Sequence, residues 1–217
     1  AINELKISSI AIPPLGCGNG GLDWNIVKKM IQDTLGNIDS DIIVYEPSAT
    51  IKQTLQEGSG VKKVKLTPER GLITYAMYYY DSLGESCSLF VANKLAYFLQ
   101  RQGAKAFSKL QFTASHYGPY SPQVAHIVYE LNGRYIKGFE QMSAAAFEPF
   151  TMQYDLIHEV SSYIRTLAQE EQKSLISTIK LISGFESTLA LEVLASVDYV
   201  RHRNPGISLD ETIEAIH

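Results

Sequence analysis

The residues with the clearest chemical potential stand near the start of the chain. Gly16-Cys17-Gly18-Asn19-Gly20-Gly21 follows a β-compatible run, Ile7–Ile12, and precedes an apolar repeat of helical period. Glycines let a backbone approach a pyrophosphate closely, and a helix start behind them offers free N–H groups and the positive end of a dipole. The spacing satisfies G-x-G-x-x-G, and Glu46 closes the next strand about where a ribose-binding carboxylate would stand. Two details point instead to a phosphate-binding loop of another kind. Pro13-Pro14 separates strand from glycines, and the helical period opens only at Trp24, whereas the dinucleotide pattern needs its last glycine packed inside the helix. A nucleotide-binding enzyme using Gly16–Gly21 toward NAD or ADP-ribose stays open as an alternative, and so does a glycine-rich turn without a ligand.

Aromatic residues supply the second chemistry. Tyr78, Tyr79 and Tyr80 cover about 200° of a helix circumference, so the run either packs into the core with its hydroxyls satisfied or turns a ring toward a partner. His116, Tyr117 and Tyr120 sit in His116-Tyr-Gly-Pro-Tyr-Ser-Pro122, a segment rich in turn formers, where an exposed ring can anchor an interface and prolines can equally serve only to fix the backbone. His126 and His158 fall on predicted helices and read as locally satisfied. No Ser–His–Asp order and no carboxylate pair for acid–base work emerges. Cys17 and Cys87 lie far apart and offer neither metal-ligand spacing nor a disulfide framework, which makes a reducing cytoplasm the expected setting and leaves no metal site to expect.

The elements that must carry these residues follow from periodicity. Ile7–Ile12 and Asp41–Tyr45 read as strands around a helix opening at Trp24, with Asp23 as its cap and Gly36 as a left-handed residue past its end. One helix covers only one face of a parallel pair, so this β-α-β unit is not a complete domain. From Pro47 to Lys65 the composition turns to Ser, Thr, Gly, Gln and Lys, as in a solvated linker. Thr67-Pro68 starts a helix with Thr as cap and Pro at its first position. A second helix, Ser88 to Gln102, carries a core stripe of Leu89, Val91, Leu95, Phe98 and Leu99 and stops at Gly103. The segment from His116 to Pro122 is too rich in turn formers to continue a regular element, and a helix over 123–131 follows it. Arg134–Phe139 and Ala146–Met152 predict a small ribbon in which Pro149 sits at an edge or bulge. Helices follow near 155–169, 171–183 and 187–202, and Ser208-Leu-Asp-Glu211 fits a capping box for a last helix that looks cut short.

The fold class this implies is α+β: a mostly α-helical C-terminal domain with a small β ribbon over residues 66–217, preceded by a linker over 48–65 and a partial α/β (β-α-β) piece over 1–47. The chain has 217 residues, 45% hydrophobic and 19% charged, which suits a soluble globular protein and excludes collagen-like, wholly disordered and disulfide-scaffold classes. No apolar run approaches the roughly 18–20 residues of a membrane span, so no membrane partner is expected. The net charge of −4 argues against a general nucleic-acid binder. Its distribution is uneven: residues 1–65 are neutral, 66–129 carry +2 and 130–217 carry −6. Such acidity either serves solubility or faces a basic partner.

Two resemblances sharpen these readings. Ala11-Ile-Pro-Pro-Leu-Gly-Cys-Gly-Asn-Gly-Gly-Leu-Asp-Trp24, with its following helix and Ile-Val-Tyr-Glu46, resembles the last third of a macrodomain of the type found in DarG antitoxins and terminal ADP-ribose glycohydrolase. The resemblance implies that Gly16, Cys17, Gly18, Asn19 and Gly20 belong to the loop around the distal part of ADP-ribose. The glycohydrolase has a catalytically important aspartate where this chain has Gly20, and Asp23 stands three residues later. The lysine of DarG-type macrodomains lies in earlier sequence, and neither Lys28 nor Lys29 takes its place. These departures lead to the expectation that the chain is a fragment lacking the first two thirds of the macrodomain, is not itself an enzyme and has no cofactor. An intact parent would be a DNA ADP-ribosyl glycohydrolase, acting on ADP-ribose attached to thymidine in DNA.

Asn93-Lys-Leu-Ala-Tyr-Phe-Leu-Gln100 followed by His116-Tyr-Gly-Pro-Tyr-Ser-Pro122 is similar to the Panacea antitoxin domain, through its K-x-x-Y-F and Y-G-P spacing. In DarG-type proteins such a domain follows the macrodomain and binds the toxin, and it is described there as imitating single-stranded DNA. The resemblance implies an antitoxin of a DarT/DarG-type system whose partner is a DarT-type ADP-ribosyltransferase toxin. An imitation of DNA needs carboxylates set among aromatic rings, and 13 tyrosines, 8 phenylalanines and an acidic C-terminal third meet that demand in composition.

Overall fold

Helix-forming periodicity and short β-prone runs organise the chain in a computed structural model that describes residues 2, 7–16, 22–46, 64–139 and 145–216. The described residues fall into two compact units, one within 2–46 and the other within 64–216. The linker expected over 48–65 lies almost wholly outside the described residues.

In the first unit β1 (Ser9–Ile12) pairs in parallel with β2 (Asp41–Val44), Ser9 opposite Asp41 and Ile12 opposite Val44, with α1 (Trp24–Leu35) between them. Asp23 caps α1 through its Oδ1, which accepts from the backbone N–H of Asn25 at 2.8 Å and Ile26 at 3.3 Å. Val27 and Ile31 on the inner face of α1 pack with Ile12, flanked by Ile10, Trp24, Leu35, Ile42 and Val44. The outer face is apolar as well: Ile26 and Met30 are each 63% exposed, and Ile43 on β2 is 54% exposed. Gly36 departs from the left-handed conformation its position suggests. Its φ of −63° is right-handed, and its N–H donates to the Gln32 carbonyl, so it extends the last turn of α1 instead of reversing it.

The second unit is built around α2 (Pro68–Ser82) and α3 (Leu89–Arg101), which pack against each other. Around them lie α4 (Pro122–Leu131), α5 (Ile157–Thr166), α6 (Gln169–Ile182), α7 (Thr188–Arg203) and α8 (Leu209–Ile216). α2 rests on α5 and α6, while α3 contacts α4, α6 and α7. Every residue of α3 from Phe90 to Leu99 is buried, so the stripe expected from its sequence is a fully enclosed helix. Helices that are apolar on all sides belong in the middle of a core, and α3 has neighbours around its whole girth. Ser88 caps it, its hydroxyl accepting from Val91 N–H at 3.4 Å. Thr67 occupies the cap position of α2, yet its hydroxyl is buried without a hydrogen-bond partner among the described residues. Its carbonyl makes the ordinary first bond of the helix, accepting from Gly71 N–H at 2.8 Å, so the side-chain cap alone is missing.

The small ribbon forms within the two expected segments: β5 (Ile136–Lys137) runs antiparallel to β6 (Thr151–Met152), and Pro149 stands outside it in an isolated bridge to Ser88. The capping box of α8 is reciprocal. Glu211 Oε2 accepts from Ser208 N–H at 2.9 Å, and Ser208 Oγ accepts from Glu211 N–H at 3.2 Å. No helix among the described residues is long and apolar enough to cross a membrane.

Candidate functional site

The glycine-loop residues are only partly in view. Gly16 has φ +70°, a left-handed value that a side chain would strain, and its carbonyl accepts from Leu22 N–H at 3.0 Å. Cys17, Gly18, Asn19 and Gly20 lie outside the described residues. Glu46, two residues past β2, forms an exposed ion pair with Lys28 of α1.

A partly enclosed cavity lies in the second unit. Its back wall is α3, and its front is a hairpin that the turn-rich composition concealed: β3 (Thr113–Ser115) pairs antiparallel with β4 (Gly118–Tyr120), Ser115 opposite Gly118. The expectation that residues 116–122 hold no regular element is therefore corrected. His116 and Tyr117 form a two-residue turn, and Gly118 supplies φ +82° directly after it. A Cβ on residue 118 would also lie 2.5 Å from Ser196 Oγ of α7, so that hydroxyl would have to turn away.

The polar side chains of α3 hold this hairpin and its neighbours in place. Asn93 Oδ1 accepts from Ser121 N–H at 2.8 Å, fixing the start of α4, while its Nδ2 donates to Leu89 O at 3.2 Å. Lys94, one residue on and 2% exposed, donates from Nζ to Pro119 O at 2.9 Å and stands 4.9 Å from the centroid of the Phe90 ring. Burial pulls the Lys94 ammonium down from its ordinary value to about 8, against a raising influence from the Glu192 charge on α7. A full turn after Asn93, the Tyr97 hydroxyl donates to Asp198 Oδ2 at 2.6 Å. Arg101 Nε reaches the same oxygen at 2.7 Å, so α3 and α7 are joined by a Tyr–Asp–Arg cluster. Burial pushes the Asp198 carboxyl up, and the hydrogen bonds from Arg101 and Tyr97 outweigh it, leaving the group below the usual carboxylate range.

The cavity between α3 and the hairpin measures about 340 Å³ and is lined by Phe90, Asn93, Lys94, Tyr117, Gly118 and Tyr120, with Leu89, Ser115 and Ala146 at its edges. Two of its lining rings belong to a cluster of three: Phe90 and Phe147 at 4.9 Å, Tyr117 and Phe147 at 4.9 Å edge-on, and Phe90 and Tyr117 at 6.4 Å. Tyr117 and Phe147 are each 46% exposed, so the cluster has an open aromatic face.

The other aromatic candidates divide. Tyr78 is enclosed, its hydroxyl donating to Gln153 O at 2.7 Å and to Tyr135 O at 3.2 Å. Tyr80 is enclosed too and donates to the Glu186 carbonyl. Neither can reach a partner, because each spends its hydroxyl on backbone inside the core. Tyr79 is half-buried on α2, and His116 is exposed on the hairpin turn. The structure thus brings Tyr117 and Tyr120 to one cavity and leaves Tyr78, Tyr79 and Tyr80 on another element. Phe90, Lys94, Phe147 and Asp198 escaped selection as site residues. The available signal was Lys94 itself, a lysine set in the apolar run Ala92-Asn-Lys-Leu-Ala96. Among the described residues no group of three or more His, Cys, Asp or Glu side chains is placed to hold a metal ion.

No protein-family model matches the chain. It is 34% identical to a Thermus aquaticus protein named DNA ADP-ribosyl glycohydrolase, in an alignment that covers 93% of this chain and 55% of that protein. Proteins of the same name from Mycobacterium bovis and Mycobacterium tuberculosis are each 31% identical, over 93% of this chain and 60% of theirs. The chain therefore spans between about half and three fifths of the length of these curated relatives. The expectation that the chain is not an enzyme is corrected by this finding, since proteins named for an enzyme activity match it almost from end to end.

Proposed function

We propose that this chain belongs to a DNA ADP-ribosyl glycohydrolase that doubles as an antitoxin, its first unit completing an ADP-ribose pocket and its second unit gripping a DarT-type ADP-ribosyltransferase toxin. The observation that carries this reading is the reach of the similarity. An alignment over 93% of the chain has to include residues of both units, so the glycine-loop unit and the α-rich unit occur together in proteins of that name. The left-handed Gly16 at the head of the loop suits a backbone that must bend round a pyrophosphate. The apolar outer face of the first unit, with Ile26, Met30 and Ile43 open to solvent, suits a β-α-β piece that packs within a larger α/β sheet.

Binding by the second unit rests on other features. The α3 and hairpin residues that resemble the Panacea pattern meet at one surface, with Tyr117 and Phe147 as exposed rings able to anchor a partner. The acid excess of residues 130–217 supplies the charge with which the unit would stand in for single-stranded DNA.

The test is two assays on one preparation. The chain, mixed with the cognate DNA ADP-ribosyltransferase, is expected to co-elute with it and to suppress modification of a thymidine-containing oligonucleotide. Premodified oligonucleotide tests whether the chain also releases ADP-ribose, with the full-length protein of the host as the reference. Failure to bind or inhibit the transferase would overturn the antitoxin reading. Inability of the full-length protein to release ADP-ribose would overturn the glycohydrolase reading.

A further inference from the structure

The cavity between α3 and the β3–β4 hairpin contains an ammonium group with spare donor capacity. Lys94 Nζ has three N–H bonds, and among the described residues it makes one hydrogen bond, to Pro119 O. It forms no ion pair there: Glu192 acts on it only through space, and none of the salt bridges of the described residues includes Lys94. A charged group at 2% exposure without a counter-ion is costly, and an anion entering the cavity would offset that cost.

The walls define what else the ligand must carry. Phe90, Tyr117 and Tyr120 line the cavity with Lys94, and Phe147 packs against Phe90 and Tyr117, so the body behind the anionic head meets aromatic surface. A volume of about 340 Å³ stands at the small end of ligand cavities and admits one side-chain-sized group, with no room for a dinucleotide. No arginine lines the cavity to form a phosphate fork, whereas a single ammonium suits a monoanion.

We propose that this cavity is a receptor for a carboxylate carried on a short apolar or aromatic body, the carboxylate taking the free N–H positions of Lys94 and the body lying against Phe90 and Tyr117. The site is separate from the ADP-ribose loop, and it shares Tyr117 with the surface proposed to meet the toxin, while its ligand test needs no toxin. Its ligand chemistry has two sources, an acidic side chain of a protein or a free small acid. The lowered Lys94 value of about 8 is a supporting sign, because it marks an ammonium that gains from a bound anion.

The probe is sodium phenylacetate, with phenylacetamide as its neutral counterpart, titrated into the chain labelled with 13C-lysine. Phenylacetate is expected to shift the Lys94 Cε signal saturably, and phenylacetamide to leave it unchanged. The signal is identified by its loss in Lys94→Met. Should that variant fold poorly, Tyr117→Ala, at an exposed position, is expected to weaken phenylacetate at least 5-fold. Two capped dipeptides separate the sources: acetyl-Phe-Glu-amide binding more tightly than phenylacetate assigns the site to a protein side chain, and the reverse order assigns it to a free acid. The absence of a saturable Lys94 shift, equal binding of the amide, or unaltered affinity in Tyr117→Ala would overturn the proposal.

Discussion

Lys94 Nζ lies 2.9 Å from Pro119 O, tying the middle of α3 to a hairpin strand 25 residues further along the chain. The donor is an ammonium and the acceptor a neutral carbonyl, so the bond holds the hairpin without neutralising the charge. That imbalance gives a pH signature. With a value near 8 in the folded chain against an ordinary 10.5, the charged form is disfavoured by folding at and below pH 8. The unfolded chain then binds more protons between pH 8 and 10.5, and stability contributed at this site rises across that window. Lys94→Met has no such titration and loses the bond to Pro119 O and the charge over the Phe90 ring. Urea unfolding from pH 7 to 10.5 is expected to show the stability difference moving steadily in favour of the natural chain, and a difference that stays flat would refute the assignment.

The Tyr97–Asp198–Arg101 cluster has the opposite sign. Asp198 sits below its ordinary 3.8, so the stability it contributes is fully present above that pH and is lost as pH falls through its lower folded value. Asp198→Asn removes the charge that both donors address and is expected to cost about 1–3 kcal/mol at pH 7. The gap between variant and natural chain should close below pH 3.8, which equilibrium urea curves at pH 7 and pH 3 would reveal.

Periodicity located the helices because each buries a continuous apolar face, and the ends followed wherever a side chain does the capping. Asp23, Ser88 and the Ser208–Glu211 pair are local signals, readable two or three residues away. Gly36 and Thr67 show the limit of that reading. A glycine after a helix permits a left-handed turn without requiring it, and a threonine at a cap position need not turn its hydroxyl to the free N–H groups: Thr67 makes no side-chain cap bond. The β3–β4 hairpin was hidden for a different reason. Its strands have three residues each and one of them contains Gly118 and Pro119, so it has no alternating pattern and is held instead by Lys94 and by the fit of Gly118 against Ser196. The cavity is a product of those long-range contacts, which explains why Tyr117 and Tyr120 could be singled out by composition and Phe90 and Phe147 could not, while Lys94 left only the signal of a lysine in an apolar run.

Gly118 is the most exacting position of that hairpin. Alanine there would combine strain at φ +82° with a Cβ placed 2.5 Å from Ser196 Oγ. Gly118→Ala is expected to destabilise the chain by about 2–3 kcal/mol, of which left-handed strain is about 1 kcal/mol or more. Adding Ser196→Gly removes the clash and leaves the strain, so the double variant should recover part of the loss. Chemical unfolding of the two single variants and the double would show the coupling, and strict additivity would mean that α7 and the hairpin do not press on each other at this point.

Exposure separates the tyrosines that could bind a toxin from those that cannot. Tyr117 offers its ring beside Phe147, whereas Tyr78 buries its ring and donates its hydroxyl to Gln153 O at 2.7 Å. Truncating an exposed anchor should therefore damage association and spare the fold, while deleting a core hydroxyl should do the reverse. Tyr117→Ala and Phe147→Ala are each expected to weaken binding to the cognate transferase by about 1–3 kcal/mol and to change unfolding stability by less than about 1 kcal/mol. Tyr78→Phe is expected to cost about 1 kcal/mol of stability and to leave affinity unaltered. Calorimetric titration paired with urea unfolding of all three variants distinguishes the two behaviours. Unchanged affinity in both Tyr117→Ala and Phe147→Ala would move the contact surface away from the hairpin, toward the acidic helices beyond residue 130.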